Sequence, residues 1–106
     1  MRSIQLTRYI YQMGNDLVIC VQNENGHIGS IVTGEPYYKN KELHVTYNTW
    51  NRLSHKDDCV AKLYVEKAVK KYKCVVSCVC GIHLDNITKE EMNEIMVWVE
   101  KDLLCL

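Results

Sequence analysis

Residues 54–82 read SHKDDCVAKLYVEKAVKKYKCVVSCVCGI, and the change of apolar period inside this stretch decides the fold. Ala61, Val65, Ala68 and Tyr72 recur at helical spacing on one stripe, flanked by Val60, Leu63 and Val69. Ser54 suits an N-cap, and Asp57 and Asp58 fall where the positive end of a helix dipole favours acids. Lys70, Lys71 and Lys73 sit at the opposite end, which favours cations. The spacing predicts a helix over about residues 55–72. From Cys74 to Ile82 the chain is apolar at odd and even positions alike, which predicts a strand in the middle of a sheet.

Downstream of that strand, Thr88-Lys89-Glu90-Glu91 has the form of a capping box. Behind it Met92, Ile95, Met96, Val99 and Leu103 form a second helical stripe, widened by Val97, Trp98 and Leu104. A helix this apolar on a small domain calls for more contact than one sheet gives it. Upstream, the period is two. Ile4, Leu6 and Ile10 alternate with Thr7, Tyr9, Tyr11 and Met13, and Gly14-Asn15-Asp16 is a turn signal. Leu17 to Gln22 is apolar on both faces, as expected of a strand with a layer on either side. Asn25-Gly26 favours a tight hairpin with positive φ. Residues 27–33 form a third strand ended by Gly34-Glu35-Pro36, and Leu43, Val45 and Tyr47 mark a fourth, half-buried one. These four strands read as a meander.

At 106 residues, 47% apolar and 25% charged, the chain has the size and composition of one globular domain, 1–106. It contains no twenty-residue apolar run and no apolar stretch at the N-terminus of the kind that marks export, so a cytoplasmic location is expected and no membrane contact. Five of the six cysteines lie in apolar periodic segments, where thiols act as small hydrophobes. Cys74, Cys78 and Cys80 share one face of a strand, too extended to chelate one ion. The formal charge is zero but uneven. Residues 51–73 carry seven bases against three acids, and residues 85–102 carry six acids against two bases. Nucleic-acid binding normally needs an overall basic balance with exposed aromatics. Two helix faces of opposite sign, turned to each other or to a partner of complementary charge, are the reading here.

The polar chemistry collects in three turns. Gly26-His27-Ile28-Gly29-Ser30 permits close backbone approach and could expose N–H groups to an anion, or serve hairpin geometry alone. Ser54-His55-Lys56-Asp57-Asp58 begins a helix, where anions bind, and adds His55 and Lys56 as donors. Gly81-Ile82-His83-Leu84-Asp85 joins a central strand to the second helix, and His83 and Asp85 are close enough to hydrogen-bond. No pair of His and acid has the spacing of a helical metal site, so no metal is expected.

Taken in order, His27-Ile28-Gly29, His55-Lys56-Asp57-Asp58 and Gly81-Ile82-His83-Leu84-Asp85-Asn86-Ile87-Thr88 resemble the LpdD-like family, over residues 16–104. Its members are prenylated-flavin chaperone-like proteins associated with gallate-type, UbiD-like decarboxylases, and their domain is similar to proteasome assembly chaperones. The resemblance implies an α/β (α+β) fold, a single-layer, mostly antiparallel sheet of about five to six strands flanked by two main helices. It also implies a homodimer with no catalytic residues of its own, which helps a decarboxylase acquire or hold its prenylated flavin mononucleotide (FMN). By position the candidate cofactor-binding set is His27, Gly29, His55, Lys56, Asp57, Gly81, His83 and Asp85. A flavin phosphate suits the helix start, and the acids Asp57, Asp58 and Asp85 oppose it. Two other readings stay open: a small His/Asp acid–base or metal-dependent enzyme, and an assembly chaperone with no small ligand.

Overall fold

The computed structural model describes residues 4–53 and 57–106. Its elements are β1 (Leu6–Met13), β2 (Asp16–Asn23), β3 (Ser30–Lys39), β4 (Glu42–Asn51), α1 (Asp58–Tyr72), β5 (Val76–Gly81) and α2 (Lys89–Leu104). The five strands form one sheet in the order β1-β2-β5-β3-β4. It is the expected α+β architecture, with one parallel pair, β2 with β5, in an otherwise antiparallel sheet.

The expected meander is corrected by this order. β1 and β2 pair as a hairpin through Gly14, whose φ of 60° serves the turn, and β3 pairs with β4. However, β2 and β3 are not neighbours, because β5 lies between them. Local turn chemistry suggested a hairpin at Asn25-Gly26, but Gly26 has no positive φ, and the doubly apolar β5 takes the central place. β3 also runs through Gly34-Glu35-Pro36 instead of ending there. Its ladder with β5 stops at Gly34, so Pro36 falls where β3 has β4 alone beside it, a position that tolerates a missing N–H.

Both helices lie on the same face of the sheet. Val60, Ala61, Val65, Ala68 and Val69 of α1 are buried against Ile19, Val21, Val32, Val76, Cys78 and Cys80. Tyr64, which the stripe did not include, is the largest fully buried side chain, while Tyr72 at the end of the stripe is exposed. α2 begins with the expected capping box: Glu91 N–H donates to Thr88 Oγ1 (3.1 Å) and Thr88 N–H to Glu91 Oε1 (2.9 Å). α1 begins at Asp58 with Asp57 as its cap residue, and Asp57 makes no side-chain cap bond. The N-cap expected at Ser54 lies outside the described residues.

Asp102 ties the layers together. It accepts two hydrogen bonds from the Arg8 guanidinium of β1, both 3.0 Å, and one from the Tyr64 hydroxyl of α1 at 2.8 Å. The layer expected on the other side of β2 and β5 is not supplied by the described residues. Val18, Cys20 and Val79 of the central strands face that side, with Tyr9, Tyr11 and Trp50 exposed around them.

All six cysteines are free thiols. Burial, then the neighbouring Cys20, pushes the Cys78 thiol up to about 12, and burial with Asp57 and Cys78 raises Cys80 as well. Thiolate is the reactive form. In the native chain, the exposed Cys59 and Cys105 are therefore expected to take up a thiol reagent promptly. Cys74, Cys78 and Cys80 should react only as the chain unfolds, a difference read by mass spectrometry of timed alkylation.

Candidate functional site at one end of the sheet

β2 and β5 run parallel, so both finish at the same end of the sheet, where β3 begins, β4 ends and α1 starts. Connections at that end lie side by side. Gly26 N–H donates to Asn23 O (3.0 Å), closing a tight turn after β2. The next residues run back against β5: Gly29 N–H donates to Cys80 O (3.0 Å), and Gly29 O accepts from Arg52 N–H (2.8 Å).

Glycine is required where these backbones meet. A Cβ on Gly81 would lie 2.3 Å from His27 O, and one on Gly26 would lie 2.0 Å from Gly81 O. No side chain fits at either position without moving main chain. The connection after β5 is clamped from both sides. Asn23, nearly buried, accepts from His83 N–H (3.0 Å) and donates to His83 O (2.7 Å). Asp57 accepts from Ile82 N–H at 3.2 Å.

This clamping sets His83 beside His27, with ring centroids 4.8 Å apart and planes tilted by 45°. His83 Nε2 lies 3.0 Å from Asp85 Oδ1, as the two-residue spacing suggested, although Asp85 stands largely in solvent. Six of the eight candidate residues, His27, Gly29, Asp57, Gly81, His83 and Asp85, are thus gathered at one end of the sheet. Gly29, Asp57 and Gly81 position backbone there, while His27, His83 and Asp85 carry side-chain chemistry. His55 and Lys56 lie outside the described residues.

Three concavities ring this cluster. A groove of about 920 Å³ is lined by Ile28, Ile31, Trp50, Asn51, Arg52 and Leu53. A cleft of about 220 Å³ between Cys20, His27, Ile28, Val79 and Gly81 shares Ile28 with it. A third, of about 530 Å³, contains His83, Asp85, Glu24 and Asn23. The acids Asp85 and Glu24 line only the third. Arg52 donates to Ile28 O (3.3 Å), which holds its guanidinium beside the large groove.

Trp50, Arg52 and Leu53 were not singled out by motif. Their sequence signal is faint: an aromatic at the end of an alternating strand, followed by a base. What makes them a wall is the pairing of Trp50 with Ile31, which depends on strand register.

Residues 1–103 match the family model described as the prenylated flavin chaperone LpdD-like domain. The chain belongs to this family. The LpdD-like domain shares its fold with a chain from a chaperone complex for yeast 20S proteasome assembly. The TM-score is 0.56 at 8% identity, covering 95% of this chain and 92% of that one. No curated protein matches it.

The group implied by the family is a prenylated flavin, and the donor set at the sheet end suits such a molecule. Trp50, Ile28, Ile31 and Leu53 offer an apolar and aromatic wall for a fused ring system. Arg52 and Asn51 are polar groups in that wall, His27 lines the adjoining cleft, and among the described residues no carboxylate lines either. For two of the three acids the opposition to a phosphate is relieved by placement. Asp57 is engaged by a backbone N–H, and Asp85 pairs with His83 on the far side of the cluster. Among the described residues, no group of His, Cys, Asp and Glu is placed to hold a metal ion, and no helix is long and apolar enough to cross a membrane.

Proposed function

We propose that this LpdD-like domain holds prenylated FMN at the sheet end and assists a UbiD-like, gallate-type decarboxylase in acquiring or keeping that cofactor. The observation that carries this reading is the continuity of the His27–His83 cluster with the acid-free groove of Trp50 and Arg52. The ring system lies against Trp50, Ile28 and Ile31, and the phosphate meets Arg52 and His27. Both imidazole rings belong to side chains open to water, and the His83 and Asp85 side chains are 41% and 85% exposed. Acid–base catalysis works best with its groups in a water-excluded site, so this geometry favours holding a ligand over reacting with one.

Titrating the chain with FMN and with its prenylated form, followed by absorbance and fluorescence, tests the binding step. Arg52→Ala is expected to weaken binding about ten- to a hundredfold, the worth of a charge-assisted bond to phosphate. Adding the loaded chain to a cofactor-free decarboxylase tests the transfer step, with activity gained faster than from free cofactor. An unchanged flavin spectrum together with no gain in decarboxylase activity would sink the proposal.

A further inference from the structure

We infer that the groove between α1 and α2 docks an acidic, amphipathic helix of a partner protein, with lysines of α1 meeting its acids and leucines of both helices meeting its apolar side. The inference stands on the helix layer and does not depend on the sheet end being a ligand site.

Helical spacing gathers these side chains. On α1, Leu63, Lys67, Lys70 and Lys71 stand at i, i+4, i+7 and i+8 and so share one side of the helix. With Glu66, and with Leu103 from α2, they line a groove of about 520 Å³. Leu63 is 38% exposed, and Leu104, next to Leu103, is 83% exposed. Lys70 Nζ lies 3.0 Å from Glu66 Oε1, and Lys71 Nζ donates to Leu106 O at 2.5 Å. The lining therefore holds three lysines against one carboxylate. The basic residues of 51–73 and the acidic ones of 85–102 had two possible counterparts, each other or a partner. Among the described residues no lysine of α1 pairs with an acid of α2. Asp102 is engaged by Arg8 and Tyr64, and Glu91 by the capping box. The positive side of α1 is turned outward.

Exposed apolar side chains rimmed by charge mark a surface that takes a partner, and the sign of the rim selects which. An excess of lysine calls for acids, and the leucines call for apolar anchors. An amphipathic helix laid along a groove presents both, with anchors at i, i+4 and i+7. From Leu63 to Lys71 the groove follows α1 for about 12 Å, roughly two turns, which is the length of such a set of anchors. Nucleic acid suits it poorly, because no aromatic among the described residues lines the groove for base stacking and the chain has zero formal charge. Glu100 is exposed one turn before Leu103 and Leu104, on the same side of α2. A flat anionic membrane meets that acid along with the lysines, whereas a helix directs its acids to one side only. Lys67 to Lys71 lie about 14–20 Å along α1 from its start at Asp58. A partner seated there leaves the sheet end uncovered.

Fluorescence anisotropy tests the docking, using labelled helical peptides with leucines at i, i+4, i+7 and i+11 and either glutamates or lysines beside them. The glutamate peptide is expected to bind at low ionic strength and to weaken as salt is added. Lys67→Glu should weaken it about tenfold or more, and Leu63→Gln about threefold or more. Lys39→Glu, at the distant end of β3, should bind it as the wild type does. Circular dichroism checks that each variant is folded, and Lys70→Gln, expected to weaken binding about threefold, replaces Lys67→Glu if that one is not. A glutamate peptide that does not bind overturns the proposal. So does one bound equally by wild type and Lys67→Glu, or a lysine peptide bound as tightly. Phosphatidylserine vesicles bound through Lys67 when the peptide is not would make the groove a membrane surface and overturn it too. FMN titrated in parallel separates the two readings. A chain that binds the peptide and no flavin removes the ligand site and leaves the docking groove, and the reverse result removes the groove alone.

Discussion

Asp102→Ala is expected to lower the stability of the fold by about 3 kcal/mol, measured by urea unfolding at pH 7. Two elements, β1 and α1, lose their common partner on α2 at once. The Arg8 guanidinium is left with little solvent around it, and the Tyr64 hydroxyl stays buried with no acceptor. The figure is at the low end for a broken buried pair because Arg8 and Asp102 side chains are still 21% and 15% exposed. It is a large part of the 5–15 kcal/mol typical of a whole domain.

The same site gives a pH signature. Burial alone would raise the Asp102 carboxyl, but hydrogen bonds from Arg8 and Tyr64 outweigh it and hold the carboxyl below its ordinary value. A lowered native pKa means that the folded chain binds fewer protons than the unfolded one as acid is added. The stabilisation is therefore complete above the unfolded value of about 4 and is lost as pH falls through the lower native value. Asp102→Asn removes the charge and keeps the shape. It is expected to be less stable than wild type at pH 7, with the gap closing as the pH drops below about 4. A gap that stays constant down to strongly acid pH would contradict this role for the carboxylate.

Gly81→Ala is the second large effect. The new methyl group would stand 2.3 Å from His27 O and 2.8 Å from His27 C, both main-chain atoms that cannot turn aside. The end of β5 and the segment carrying His27 must part. The expected cost is about 3 kcal/mol, the upper range for an overpacked interior. Because the same movement separates His27 from His83, flavin affinity should drop below detection in whatever fraction stays folded. Gly14→Ala is the contrasting substitution. It meets no atom within 4 Å, and its cost is limited to the positive φ at a distant turn. That variant should bind flavin as the wild type does.

Much of the fold was legible because it rests on local rules. The capping box at Thr88, the buried stripe of Ala61, Val65 and Ala68, and the doubly apolar β5 each follow from neighbours in sequence. Strand order was not legible in the same way. Asn25-Gly26 obeys the rule for a hairpin, yet β2 and β3 are parted by a strand fifty residues downstream, and only the pairing energy of the whole sheet decides that. Tyr64 stands three residues after Ala61 and four before Ala68, so its place on the buried stripe follows from spacing, whereas the acceptor for its hydroxyl, Asp102 on α2, does not. For the site, the three turns were visible as Gly, His and Asp clusters. Their convergence depends on β2 and β5 being parallel neighbours. Trp50 and Arg52 carry no motif, and they join the site through the register of β4 on β3.

The reading as a whole rests on flavin binding at the sheet end. The most direct measurement is a titration of ¹⁵N-labelled chain with prenylated FMN, followed by amide resonances. The expected result is a saturable set of shifts at Gly26–Gly29, Trp50–Leu53 and Gly81–Asp85, with α2 unaffected. Saturating ligand that moves no resonance in these three segments, or moves α2 alone, would contradict it.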